Sequence, residues 1–272
     1  MKFVLESPDL EEEGASDDLS EKFAAKYTKA LVTGGAGFIG SHICEKLVQI
    51  GVDVVSLDDF SAGKESNIDH LKKYKNFASV TCDITNKSQL KEHLQKVDII
   101  FHNAASKKNI CLKDPARDLE VNARGPLQLL ELAKQNDVKK FVHASTGSVY
   151  GEGITFPQSE DHPLNPVSFY GVSKLAGEKY CNAFLNYYDM DITVLRYFHV
   201  YGTRQEYSDL GGVITIFIRR ILNNESPIIF GDGKQLRSFT YVKDDVDANF
   251  HVALDKRSKG ARFVKSRNKT LL

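Results

Sequence analysis

The sequence predicts an α/β fold, a doubly wound parallel sheet with helices on both faces and a small lobe appended at its C-terminal end. Three observations predict it. A glycine-rich turn joins an apolar run to a helical pattern, the next apolar run ends in an acid, and apolar runs alternate with amphipathic stretches from Lys29 onward. The chain has 272 residues, which suits one large α/β domain or one with an added lobe. Its formal net charge is zero, so charge balance argues for neither nucleic acid nor a membrane surface as partner. No apolar run is long enough to span a bilayer and no apolar signal segment opens the chain.

Residues 1–27 are acidic, with Glu11-Glu12-Glu13 and Asp17-Asp18, and are expected to form a flexible tail, a solvated extension rather than a partner-binding arm. Strands are expected near 29–33, 53–57, 79–82, 97–102, 139–145 and 192–197. Helices are expected near 38–50, 67–75, 86–95, 115–136, 168–189 and 213–224. This alternation is Rossmann-like. Four cysteines (Cys44, Cys82, Cys111, Cys181) carry no CxxC spacing and read as reduced thiols of a cytoplasmic protein. The eight histidines show no metal-ligand spacing, so no metal is expected.

The turn is Thr33-Gly34-Gly35-Ala36-Gly37-Phe38-Ile39-Gly40. Gly34 and Gly35 permit a tight turn, Gly37 leaves room for a diphosphate, and Gly40 lets helix and sheet lie close. The helix N-terminus offers unpaired N–H groups and partial positive charge to phosphate. Alone such a match is also an ordinary turn. Asp58, at the end of the following strand, stands where an acid grips a ribose 2′-hydroxyl. Asp58-Asp59, with no Lys or Arg before Lys64, would repel a 2′-phosphate and favours NAD over NADP. Asp83, past the third strand, is placed either to accept from an adenine amino group or to cap a helix. Small residues at Ala104-Ala105 let a flat cofactor approach the backbone. Lys107 reaches a ribose or phosphate if it faces the cofactor and is otherwise a surface lysine.

Tyr170 and Lys174 lie four apart on a predicted helix, hence on one face. A phenol titrates near pH 10 and is a poor base at neutrality. An adjacent ammonium is expected to lower that value, giving a base able to take a proton from an alcohol whose hydride leaves for a nicotinamide. A strand ending in Ser145-Thr146 adds two hydroxyls.

On these motifs the chain resembles the extended short-chain dehydrogenase/reductase family, in its nucleotide-sugar epimerase/dehydratase branch. The likeness runs from about Lys29 to Gly260. It includes the glycine turn, Asp83-Ile84, Phe101-His102-Asn103-Ala104-Ala105, Ser148-Val149-Tyr150-Gly151, Tyr170 with Lys174, Leu195 to Gly202, and Gly231-Asp232-Gly233 with Arg237 to Val242. The resemblance implies that Gly34, Gly37, Phe38, Ile39, Gly40, Asp58, Asp83, Ile84, Ala104, Ala105, Lys107, Asn122, Tyr170 and Lys174 bind NAD. It implies that Thr146, Tyr170 and Lys174 are catalytic, and that Thr146, Ser148, Tyr170, His199 and Arg237 meet a nucleotide-sugar, a UDP-hexose. Related 4,6-dehydratases carry Asp-Glu after the catalytic Thr, and nucleotide-sugar decarboxylases often a Glu. Here Thr146-Gly147-Ser148-Val149-Tyr150 has no carboxylate, which favours inversion at C4 through a 4-keto sugar. The alternatives are a non-catalytic or weakly active NAD-binding remnant and a related dehydratase or reductase.

His199 replaces the family's usual Asn, either as a substituted hydrogen-bond donor or as a structural histidine. Thr203 replaces a frequent Pro. Beyond Gly260 the family continues further than Leu272, so a shortened lobe is expected. Its basic end (Lys256 to Lys269) is read as a frayed terminus rather than a nucleic-acid arm. Apolar surface is expected to be exposed within 228–254. The implied organisation is a tail (1–27), an NAD-binding domain (28–200) and a partial nucleotide-sugar lobe (201–272). A homodimer is a family expectation, formed through the helices near 115–136 and 168–189, with Leu127, Leu130, Ala176 and Tyr180 as candidate contacts.

Overall fold

The computed structural model describes residues 13–106, 108–156, 158–208, 211–235 and 237–265. In chain order its elements are α1 (Glu13–Lys26), β1 (Lys29–Thr33), α2 (Phe38–Gln49), β2 (Asp53–Asp58), β3 (Phe77–Thr81), α3 (Lys87–His93), β4 (Ile99–His102), α4 (Lys108–Lys113) and α5 (Pro115–Leu119). They continue as α6 (Gly125–Gln135), β5 (Lys140–Thr146), α7 (Phe169–Tyr188), β6 (Ile192–Tyr197), β7 (Val200–Tyr201), α8 (Val213–Leu222), β8 (Thr240–Tyr241), α9 (Val242–Leu254) and β9 (Arg262–Lys265). Among the described residues, a parallel sheet runs in the order β3-β2-β1-β4-β5-β6-β9. The order reverses beside β1, which opens a crevice at the carboxyl ends of β1 and β4, where open α/β sheets bind ligands.

Period-two alternation divides the core. Ala30, Val32, Ile99, Phe101, Val142 and Leu195 face one layer, formed by α1, α2 and α9. Leu31, Ile100, Phe141, Ile192 and Val194 face the other, formed by α3, α6 and α7. Central strands covered on both faces therefore read as continuous apolar runs. Among the described residues no helix is long and apolar enough to cross a membrane.

Four expectations are corrected. The acidic N-terminal segment is not a tail throughout: α1 docks on the sheet, with Phe23 and Tyr27 buried at 0% and 1% exposure. Phe23 packs on Phe250 with ring centroids 4.5 Å apart, and Tyr27 Oη donates to the Ala253 carbonyl at 2.7 Å. Two aromatics four residues apart make a short apolar stripe that averaged composition hides, and burying each contributes roughly 2 kcal/mol. Residues 1–12 lie outside the described residues.

Residues 261–265 are likewise not frayed, and residues 266–272 lie outside the described residues. Arg262–Lys265 extends the sheet as an edge strand beside β6, fastened by Gly260 N to the Ile192 carbonyl at 2.8 Å. Charged residues within it suit an edge. The helix expected over 67–75 is two 3₁₀ turns, Glu65–Asn67 and Asp69–Leu71. Finally, the stretch 115–136 is helical but interrupted by a π turn over Glu120–Arg124, just before Pro126. Proline has no N–H to give the preceding turn, and a wider turn accommodates it.

The lobe after β6 is slight. β7 and β8 pair as two-residue parallel strands, and α8 has no buried residue. The exposure expected within 228–254 is confined to its start: Ile228, Ile229 and Phe230 are exposed, while Val242, Val246 and Phe250 of α9 are core. Leu130, offered as a dimer contact, is fully buried within the chain, and Tyr180 is exposed.

Candidate functional site

A cleft of about 870 Å³ lies along the carboxyl ends of the strands. Its floor is the glycine turn. Gly34 has φ +67°, and a Cβ there would lie 2.8 Å from Ala104 N. A Cβ on Gly40 would lie 2.1 Å from the Gly34 carbonyl oxygen, so the helix meets the turn only because that residue is glycine. Gly37 caps α2 with no side-chain hydrogen bond, leaving the helix N-terminus open toward the cleft beside Phe38 and Ile39.

One end of the cleft is built by the loops after β2 and β3. Asp58 is buried and lines the cleft; its carboxylate accepts from Ala36 N and Phe60 N, both at 2.9 Å. Burial raises its pKa, against the pull of these N–H groups. Asp83 is not a helix cap, since Asn86 caps α3. Asp83 Oδ1 instead accepts from Thr85 N and Oγ1, both at 2.8 Å, and Oδ2 accepts from Arg117 at 2.8 Å. Ile84 walls the cleft. The neighbourhood of Asp58-Asp59 is less purely acidic than the local sequence implies, because Arg117 reaches Asp59 from α5.

In the middle, Ala104 and Ala105 line the cleft as expected. Asn122 does not. It is wholly buried; its Oδ1 accepts from Ser106 N at 2.9 Å, and its Nδ2 donates to Asp118 at 2.7 Å and to Ser173 at 3.2 Å. It braces the loop behind the alanines, and the π turn aims it there. Lys107 lies outside the described residues. Beneath this floor His102 and His143 are fully buried, and burial pushes both well below the usual imidazole range, so both are neutral.

The far end brings Thr146, Tyr170 and Lys174 together. Ser168 caps α7 by accepting from Gly171 N at 3.1 Å, which starts the helix at Phe169, one residue before Tyr170. Tyr170 and Lys174 both line the cleft. Thr146 ends β5, and its hydroxyl lies near enough to the Tyr170 phenol to favour the ionised form. The expectation that Lys174 lowers the phenol's pKa is not met. Burial pushes Tyr170 up to about 12, with Cys111 and Asp118 adding to the rise and Thr146 opposing it. Burial also lowers Lys174 to about 8, and its Nζ donates to the Ala144 carbonyl at 2.6 Å. Both groups lose solvation, and that outweighs what sequence spacing alone suggests.

Ser148 is exposed, its N–H held by Thr146 Oγ1 at 3.2 Å. Gly147 has no room for a side chain, since a Cβ would lie 2.6 Å from the Phe198 ring. His199 lines the cleft with φ +39°, edge-on to Phe239. Burial lowers its pKa and the Arg237 guanidinium lowers it further, so β7 and β8 bring these two expected substrate residues together.

A buried network escaped the sequence reading. Glu178 binds Arg196 through two bonds, at 2.9 and 2.7 Å, and accepts from Ser145 Oγ at 2.5 Å. Arg196 also donates to Tyr150 Oη at 2.8 Å. The available signal was an arginine inside the apolar strand Ile192–Tyr197, which demands a buried partner. The four cysteines are free and buried.

The uncapped helix above a glycine cradle, the acid after β2 and the Tyr–Lys pair define a dinucleotide-binding oxidoreductase-type site, and these residues fit NAD. Residues 30–264 match the NAD dependent epimerase/dehydratase family, and the chain belongs to it. It is 42% identical over 221 residues to a putative UDP-glucose 4-epimerase of Methanocaldococcus jannaschii, covering 80% of this chain and 71% of that protein. A UDP-N-acetylglucosamine 4-epimerase of Methanobrevibacter ruminantium, solved with UDP-N-acetylmuramic acid, superposes with TM-score 0.84 at 34% identity, covering 90% of this chain and 78% of that one. The UDP-glucuronic acid 4-epimerase of Bacillus cereus, solved with UDP-glucuronic acid and NAD, gives TM-score 0.80 at 36% identity over 88% of this chain and 77% of that one. Decarboxylases of UDP-sugars are also among the relatives. NAD is the cofactor of this family.

Proposed function

We propose that the chain is an NAD-dependent nucleotide-sugar 4-epimerase acting on a UDP-hexose. The observation that carries this reading is the placement of Tyr170 and Lys174 at one end of the dinucleotide cleft, with Thr146 beside Tyr170 and no carboxylate at Gly147 or Ser148. Elimination of water needs a positioned acid and base that Thr146–Tyr150 does not supply. Gly34, Gly37, Phe38, Ile39 and Gly40 hold the diphosphate, Asp58 the ribose, Asp83 and Ile84 the adenine, Ala104 and Ala105 the flat path between, and Lys174 the second ribose. A bound NAD would supply the acceptor, and then the donor, of the hydride at the sugar's C4. Tyr170 Oη removes the proton from the C4 hydroxyl and later gives it back. Thr146 Oγ1 holds that oxygen in line. Because burial holds the phenol up to about 12, its ionisation would draw on the positive charge that an oxidised nicotinamide supplies when bound. The ketone at C4 turns over within the cleft, so the restored hydrogen sits on the opposite face. His199 and Arg237 face the nucleotide diphosphate, and Ser148 the sugar.

The test is purified protein with UDP-glucose or UDP-galactose, read by appearance of the C4 epimer. Tyr170→Phe should retain NAD and lose about 10³-fold in turnover. Near-normal turnover in that variant overturns the role of Tyr170. NAD binding without turnover on any nucleotide-sugar would support a cofactor-binding remnant instead.

A further inference from the structure

Two carboxylates from different loops meet at the adenosine end of the cleft, and one guanidinium nitrogen joins them. Arg117 Nη2 lies 2.8 Å from Asp83 Oδ2 and 3.4 Å from Asp59 Oδ2, while Nη1 donates to Thr85 Oγ1 at 3.2 Å. Arg117 is itself fixed at the start of α5, where Asp114 accepts its backbone N–H at 2.9 Å and Pro115 opens the helix. Both Asp59 Oδ1 and Asp83 Oδ1 are occupied locally, by Ser61 and Thr85. Each carboxylate oxygen accepts two hydrogen bonds, so Asp83 Oδ2 retains one free acceptor position beside Arg117. The three side chains are about one-third exposed (34%, 31% and 36%). Arg117 and Asp59 line the cleft, as do Cys82 and Ile84 on either side of Asp83, while Asp83 itself stands behind that wall.

We propose that Arg117 is a positioning residue that sets Asp83 to read the exocyclic amino group of the cofactor's adenine, and so makes the site selective for an aminopurine dinucleotide. This rests on the placement of adenine beside Asp83 proposed above. An ionised carboxylate only accepts, so it rewards an amino donor and repels a carbonyl at the same place. Without the guanidinium, Asp83 would face Asp59 as a like charge and lose its fixed orientation. The positive charge is committed to two acids, so it gives no welcome to a 2′-phosphate.

The experiment titrates the full chain with NAD, with nicotinamide hypoxanthine dinucleotide, and with NADP. The wild type should prefer NAD over the hypoxanthine analogue by roughly tenfold or more. Arg117→Met should bring that ratio within about threefold of unity at an unchanged melting temperature, with Arg117→Lys between, since lysine keeps charge but not the fork. In an Asp83→Ala background, Arg117→Met should change the ratio no further, the signature of two residues acting as one. An unchanged ratio in both Arg117 variants overturns the proposal, as does a loss falling chiefly on NADP. Should the wild type bind NAD and its hypoxanthine analogue equally, the placement of adenine beside Asp83 fails with it. Should it bind neither, the cofactor site itself is wrong.

Discussion

Helices α2 and α8 are both rich in apolar residues, yet the fold treats them differently. α2 buries Ile43, Cys44, Leu47 and Val48 between the sheet and α9. α8 has no fully buried residue, and Val213, Ile218, Ile221 and Leu222 stay exposed near Ile228 to Phe230 in sequence. Apolar content does not make a core; a facing layer does. The consequence is functional. The cofactor end of the cleft stands on buried strands and a glycine cradle that tolerates no extra atom. The His199–Arg237 end hangs from strands of two residues each. The first region is preorganised, and the second has little packing to hold it.

Substitutions can break or sharpen that contrast. The largest stability effect is expected at Arg196→Met, which strands the buried Glu178 carboxylate and should cost about 3–5 kcal/mol. Chemical denaturation checks it, and a loss below about 1 kcal/mol would show that the network is not needed. Pairing Arg196→Met with Glu178→Leu should restore much of that loss.

Next is pH. The native Lys174 is depressed from 10.5 to about 8 by burial. Between those values the unfolded chain holds a proton the native one has released, so stability rises with pH across the window and is flat below it. The gain is about 3 kcal/mol at most. Comparison with Lys174→Met at pH 7 and pH 10 should reveal it as a difference that grows with pH; parallel curves would contradict it. Tyr170 acts oppositely: raised from 10.0 to about 12, it withdraws stability as pH climbs above 10.

Gly40→Ala should cost roughly 1–3 kcal/mol and weaken NAD binding, since its Cβ meets backbone that cannot give way. At the other extreme, Ile221→Ser on the open face of α8 should shift stability by no more than about 0.5 kcal/mol. A large loss there would mean that α8 is covered in solution, and light scattering across concentrations would show whether a second copy covers it.

The strands of the central sheet were legible because two-sided burial writes itself as apolar runs. The glycine turn was legible because steric exclusion leaves one residue type. Tyr170, Lys174 and Thr146 were legible as a group only through family spacing. The docking of α1 was not, because two aromatics within an acidic stretch gain meaning only when Phe101 and Phe250 are seen beneath them. Nor was β9, whose partner β6 lies some seventy residues earlier in the chain. Asn122 was singled out through the resemblance, but its burial behind the alanines, with Ser106, Asp118 and Ser173 as partners, is a tertiary fact.

By itself, then, the order of amino acids determined the parallel sheet and the dinucleotide cradle. Each depends on steric or periodic rules that act over a few neighbours. Tertiary structure decided the charge states of Tyr170 and Lys174, the clamp of Arg117 on Asp59 and Asp83, and the pairing of Glu178 with Arg196. Those depend on solvation and on which distant groups share a small volume, quantities that spacing along a chain does not carry.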